Sequence, residues 1–427
     1  MSTATTLPES TCPYPGPSHP VGPPQGAHSC DGCGRPVLYC NRCGTANRVL
    51  SRFCRQCGTS RPDVRWSCRG GEAESALLAI LTSENSPRLR WEARVDEPVG
   101  TSPLVCSGLL MAVAANGRLT VFRERSNQPV HRGSLVLDHL VASPALVDGL
   151  LVAAADHRLQ IVDLATMLNI TPDTPSRDRM LEFPGTITSH LVTDGRARVV
   201  FTSVDSGRLY LHCLMTRPGE GLQLRFSRLL GNGVPADAFC PVAFLDDAMI
   251  VGEPEGHLWV YHGEGRLLTE DTLRGGVAPL PWLTRQGGVL AAGADGRIYR
   301  LDASLGRLCV ADACERPLYA FGASDAHLVA CHGRLVRHIR LASTVSTQFE
   351  LPQACSLDPL VVANTAALLS DEWSVYLLEL GGASSFVRWT QRLFSSPGAV
   401  QAPLVATPRT LFACGPAGEV SAVGWAG

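Results

Sequence analysis

The sequence predicts an all-β protein: an eight-bladed β-propeller preceded by a small four-cysteine zinc ribbon and a disordered, proline-rich tail. Three observations carry this reading. A tight turn followed by an alternating strand recurs eight times, three CxxC pairs crowd one short segment, and the chain begins with a run that has almost nothing to bury.

A chain of 427 residues is long for one compact domain and comfortable for a repeat ring with an appendage. Its 37 basic and 39 acidic residues nearly cancel, which argues against a surface built to coat nucleic acid or a membrane. Neither a secretory leader nor an apolar run long enough to span a bilayer is present, so the expected location is cytoplasmic. Every one of the 37 basic residues is arginine and lysine is absent, a bias that fits a GC-rich genome or work beside a lysine-modifying, ubiquitin-like system.

Residues 1–28, with PYPGPSHPVGPP at their centre, are expected to be a disordered tail, because Pro, Gly, Ser and Thr supply no aliphatic core.

Residues 29–62 hold the cysteine pairs Cys30/Cys33, Cys40/Cys43 and Cys54/Cys57, followed by Gly34, Gly44 and Gly58. The two-residue spacing lets both thiolates of a pair reach one tetrahedral Zn²⁺, and the glycine lets the backbone turn behind the metal. Ten residues separate Cys43 from Cys54, enough for a β-hairpin that brings two pairs onto one ion. Cys40, Cys43, Cys54 and Cys57 are therefore the expected structural zinc ligands. Cys30 and Cys33 are candidates for a second site, with Cys12, His28 or Cys68 as completing ligands; pairing of Cys30/Cys33 with Cys40/Cys43 is the alternative, and spacing leaves both open.

The pattern Cys43, Gly44, Asn47, Phe53, Cys54, Cys57, Gly58 resembles bacterial zinc-ribbon modules over some thirty residues. The same spacing resembles the Ran-binding-protein type of zinc finger, which implies contact with single-stranded RNA through Arg42, Asn47, Arg48, Arg52 and Arg55. The negative charge of a zinc site made of four thiolates offsets much of that basic excess.

Residues 63–88 form a linker whose stretch from Gly70 to Pro87 is expected to contain a short helix. Glu72 and Glu74 fall in its first turn, and Ala76, Leu77, Leu78, Ile80 and Leu81 give it an apolar body.

From residue 89 to 427 the repeat takes over. GVLAAGADGRIYRLD, from Gly288 to Asp302, is its cleanest copy: an apolar strand, a turn at Asp295 and Gly296, and an alternating strand. Equivalent turns fall at Gly117, His157, Gly207, Gly256, Gly296, Gly333, Trp373 and Gly418, spaced by 40, 50, 49, 40, 37, 40 and 45 residues, which is a propeller period. Proline-led strands precede several of them, at Pro103, Pro144, Pro241, Pro359 and Pro403. These lines resemble the PQQ-like, quinoprotein-type β-propeller repeat, akin to WD40 architecture, over about three-quarters of the chain.

The final repeat stops one strand short. Leu89–Val95, LRWEARV, has the character of FVRWTQRL ahead of the last repeat and is expected to complete the last blade and close the ring.

A quinoprotein enzyme would need a cofactor cavity, Ca²⁺ ligands and commonly a vicinal disulfide, and adjacent cysteines are absent. The sequence carries no G-x-S-x-G, phosphate loop or HExxH, and its propeller histidines, His212 among them, avoid metal-ligand spacing and are expected at the surface or in blade packing. The expectation is a non-enzymatic adaptor whose partners are other proteins. RNA binding through the ribbon and a degenerate quinoprotein activity are the alternatives. The irregular repeats, where His157 and Trp373 replace the turn glycine and where long intervals flank Gly207, are the expected partner face; Trp373 itself is by default a core or rim aromatic that marks a binding face only if exposed.

Overall fold

The computed structural model describes residues 87–424 apart from 107, 115, 136, 138, 169–177, 195–196, 218–219, 286–287, 312–317, 319, 344, 363, 381–384, 396–401 and 408–409. Ahead of these it describes residues 10–11, 20–21, 37–39, 45–48 and 56. Two backbone pairings stand in this N-terminal part. Ser10–Thr11 pairs with Pro20–Val21, inside the segment expected to be disordered, and Val37–Tyr39 pairs with Ala46–Arg48. The expected helix after Gly70 lies outside the described residues.

Residues 88–424 form an eight-bladed β-propeller. Within each blade neighbouring strands are antiparallel and, apart from the inner position of the third blade and the closing strand of the eighth, consecutive in sequence from the inner strand outwards. The first blade is Leu104–Cys106, Leu109–Val113, Arg118–Arg123 and Pro129–Ser134. The second is Ala142–Val147, Leu150–Ala155, Arg158–Asp163 and Arg179–Glu182, with Leu164–Met167 as a single helical turn before its last strand.

The third blade is larger. Thr186–Ile187 and Val192–Thr193 share its inner position, and Arg198–Asp205, Arg208–Arg217 and Gly221–Asn232 follow. The fourth comprises Val242–Leu245, Ala248–Gly252, His257–His262 and Leu267–Thr272, and the fifth Leu283–Arg285, Gly288–Ala292, Ile298–Leu301 and Arg307–Ala311.

In the sixth blade His327–Arg340 is one run that doubles back at Gly333 (φ 69°). Its first half pairs with Ala320–Ala323, its second with Ser346–Cys355, and the Leu341 amide donates to Ala326 O across it at 2.9 Å. The seventh blade is Leu360–Val362, Thr365–Leu369, Ser374–Glu379 and Phe386–Arg392.

The eighth blade takes Val405–Ala406, Thr410–Cys414 and Glu419–Gly424 from the C-terminal end of the chain and Arg88–Arg94 from the start of the ring. Arg88–Arg94 pairs antiparallel with Glu419–Gly424, from Arg94 opposite Glu419 to Arg88 opposite Gly424. Closure removes two exposed strand edges at once.

The eight recurrent turns all join the second and third strands of a blade. Gly117, Gly207, Gly256, Gly296, Gly333, Trp373 and Gly418 have positive φ there. In the second blade the left-handed residue is Asp156 (φ 50°), one place earlier than expected, with His157 beside it. Glycine is required where the returning chain passes close: a Cβ at Gly256 would sit 2.2 Å from Leu273 O. The prolines Pro103, Pro241, Pro359 and Pro403 lie just ahead of inner strands, where a missing N–H leaves no ladder bond unmade.

The core lies between blades. Successive apolar clusters join blades one and two, two and three, and so on to six and seven, and a final cluster containing Trp91, Phe122, Trp373 and Phe412 joins seven, eight and one. Strands that are apolar on both faces follow from this, because each blade is covered on both sides. Leu150–Ala155 and Gly288–Ala292 are buried at every position.

Candidate interaction surfaces

The expected zinc ligands Cys30, Cys33, Cys40, Cys43, Cys54 and Cys57 lie outside the described residues. The paired strands Val37–Tyr39 and Ala46–Arg48 flank Cys40 and Cys43 in sequence. Among the described residues no group of three or more His, Cys, Asp or Glu side chains converges on one point, and no helix is long and apolar enough to cross a membrane.

Inside the ring, the reactive side-chain types are committed to packing. His212 is completely buried on the third strand of blade three, between Phe183 and Phe201. Ser203 Oγ donates to Pro184 O (2.7 Å), so it accepts from His212 Nε2–H (2.8 Å), and Nδ1 accepts from the Ser227 hydroxyl (2.7 Å). The neutral imidazole is fully satisfied, and burial holds its pKa down at about 4.

A second buried pair, His327 and His338, meets Nδ1 to Nε2 at 2.9 Å, and Ser385 Oγ lies 2.7 Å from His338 Nδ1. Burial, then the neighbouring His327 and Arg340, depresses His338 to about 4, and burial lowers His327 as well. Among the described residues no carboxylate completes either arrangement as a general-base triad.

Cys106, Cys213, Cys240, Cys331, Cys355 and Cys414 are buried thiols outside any disulfide. Burial pushes Cys213 up to about 11 and Cys240, Cys355 and Cys414 up to about 12, the reverse of an activated nucleophile.

Charged groups that are buried also serve the blades. Arg198 donates to Asp194 (2.8 Å) and Asp247 (2.5 Å) and lies 5.0 Å over the Phe244 ring, tying blade three to blade four. Glu253, almost fully buried, contacts His257 Nδ1. A cleft of about 270 Å³ opens beside the closing strand between Asp96, Glu97, Arg118 and Arg132; Arg118 (3.4 Å) and Arg132 (3.8 Å) face the Asp96 carboxylate there.

Trp373, by default a core or rim aromatic and otherwise part of the expected partner face, is 2% exposed: it has φ 67° and packs edge-to-face on Phe394 in the cluster that joins blades seven, eight and one. His157 is partly exposed and pairs with Asp156 at 2.8 Å. Neither residue supplies an apolar docking surface.

The long interval after Gly207 does mark an unusual feature, the extended third blade, whereas the one before it also spans residues 164–178 between the third and fourth strands of blade two. The outermost strand of blade three, Gly221–Asn232, runs twelve residues, where the other outermost strands run four to ten. Leu224 and Leu229 on it are 48% and 49% exposed. Exposed aliphatic and aromatic residues recur on outermost strands elsewhere: Leu89, Val130, Met180, Leu267, Leu268, Phe386 and Val387. The signal readable beforehand was the unbroken strand pattern GLQLRFSRLLGN, whose leucines have no sequence feature marking them as uncovered.

No protein-family model and no curated protein matches this sequence. Solved structures match its fold. The quinohemoprotein alcohol dehydrogenase of Comamonas testosteroni superposes with a TM-score of 0.62 at 10% identity, over 88% of this chain and 82% of that one. BamB from Moraxella catarrhalis gives 0.58 at 12% identity over 80% and 100%, and Saccharomyces cerevisiae Sqt1 gives 0.58 at 10% over 83% and 99%. At these identities the shared property is the β-propeller fold.

Proposed function

We propose that this chain is a non-enzymatic scaffold that holds other proteins around a rigid ring, with its cysteine-rich N-terminal module as a second docking element. The β-propeller is a fold commonly used in this way. The observation that carries the reading is the placement of exposed apolar side chains: nearly all of the large ones lie on outermost blade strands, whose outer backbone edges have no strand partner among the described residues. The elevated thiol pKa values and the depressed pKa values of the buried His212 and His338 support it, since these are groups a catalytic site would have had to activate.

Within this reading Cys40, Cys43, Cys54 and Cys57 hold one structural Zn²⁺, Cys30 and Cys33 add a second pair of thiolates, and the metal stabilises the module. The experiment is affinity purification of the tagged full chain from the cells that make it, with quantitative mass spectrometry, beside an assay of the purified protein against alcohols with an added quinone. Stoichiometric co-purifying proteins and no turnover are expected. Robust turnover by the isolated chain overturns the scaffold.

A further inference from the structure

The outermost strand of blade three has two chemically different faces. Tyr210, His212 and Leu214 alternate on one side of the neighbouring strand and oppose Leu229, Ser227 and Leu224. Irregularities in the pairing take up Arg225 and Leu230, which is why two leucines five positions apart share a face. His212 and Leu214 pack toward blade two, so the exposed leucines stand on that side. Among the described residues, blade two's outermost strand is four residues long, Arg179–Glu182.

Arg225 and Arg228 point the other way, toward the turn of blade four. Arg225 meets Glu264 at 3.3 Å and Arg228 donates to Gly265 O at 2.9 Å. Both arginines remain exposed, and they are the only charged residues in the strand. The strand ends its sheet with no further strand beside it among the described residues, and twelve residues present about 40 Å of edge.

An added strand would carry this two-faced chemistry onward, since its side chains alternate between the same two faces. We infer that the edge Gly221–Asn232 binds an extended segment of a partner protein in which aliphatic and acidic residues alternate. The aliphatic side chains cover Leu224 and Leu229, and the carboxylates face Arg225 and Arg228. A second copy of this chain fits poorly: antiparallel self-pairing that set Leu224 against Leu229 would also set Arg225 against Arg228, and like charges opposed across strands destabilise the pair.

This inference rests on the scaffold reading and names one of its partners by chemistry. The test uses the full-length protein and two twelve-residue peptides of alternating residues, valine with glutamate and valine with lysine. Fluorescence anisotropy should show the valine–glutamate peptide binding at least ten-fold more tightly than the other, and more weakly as salt rises. The double variant Leu224→Asp, Leu229→Asp should lose that binding while keeping the wild-type melting temperature. The double variant Arg225→Glu, Arg228→Glu should exchange the preference and select the lysine peptide.

Equal affinity for both peptides, no binding of either, or an unchanged preference in the charge-swapped variant overturns the assignment. So does a wild-type dimer in light scattering that the aspartate variant dissolves, which would give the edge to a second copy. Co-purification of partner proteins that persists in the aspartate variant sinks this site and leaves the scaffold standing, whereas turnover sinks the scaffold itself.

Discussion

The amide of Val95 donates to the carbonyl of Gly418 at 2.8 Å, although the two residues come from opposite ends of the ring. The same bond recurs within single blades, from Leu135 to Gly117, from Leu273 to Gly256 and from Leu393 to Trp373. In each case the residue that follows the outermost strand is fastened to the turn between the second and third strands. The closing strand therefore reproduces the geometry of a blade formed from one continuous segment, and the indole of Trp91 adds a bond to Glu124 O of blade one at 2.9 Å.

Deleting residues through Asp96 should lower the melting temperature of the whole ring by roughly 10 °C, since it removes the buried Trp91 and Val95 and exposes Glu419–Gly424 as an edge. Differential scanning calorimetry checks this. An unchanged melt would mean the ring does not depend on its closure.

Gly418→Ala probes the same seam with one methyl group. Gly418 has φ 84°, and a Cβ there would lie 2.4 Å from Val95 O. Left-handed strain and the forced shift together should cost about 2–3 kcal/mol in urea denaturation. A loss below about 0.5 kcal/mol would show that the closing strand moves aside freely.

Trp373 sets two effects against each other. Trp373→Gly relieves a positive φ of 67°, worth about 1 kcal/mol, and vacates a buried site, which costs about 3–5 kcal/mol. Packing should win, leaving the variant about 2–4 kcal/mol less stable. Stabilisation would instead show that the strained backbone dominates.

His212 should make stability depend on pH. Burial lowers it from 6.5 to about 4 in the folded protein, so below pH 6.5 the unfolded chain binds a proton that the folded one refuses. Its neutral form costs nothing above pH 6.5, and stability falls as the pH drops from there toward 4, by up to about 3 kcal/mol. Urea titrations of wild type and His212→Gln from about pH 7.5 to about pH 4.5 isolate the effect: the variant should show a shallower decline, and parallel declines would remove His212 as a contributor.

The turn periodicity was legible because a positive φ favours Gly or Asp, and the closing strand because an unfinished final repeat demands a partner. The burial of Trp373 agrees with the default reading of a propeller tryptophan as a core or rim aromatic, whereas the repeat irregularity at its position pointed to a partner face that its 2% exposure does not supply. The exposed Leu224 and Leu229 were hidden. Their strand pattern resembles that of covered strands, and nothing in the local sequence of GLQLRFSRLLGN encodes their exposure. The packing role of His212 agrees with its expected place at the surface or in blade packing, but its partners were unreadable, since Ser203 and Ser227 reach it only through strand register.

The most direct test of the scaffold proposal is the native mass and composition of the complex that the untagged protein occupies in gently lysed cells, measured by size-exclusion chromatography with light scattering and mass spectrometry. A discrete assembly well above the mass of one chain, containing other proteins in fixed proportion, is the expected result. A protein that elutes alone as a monomer would contradict it.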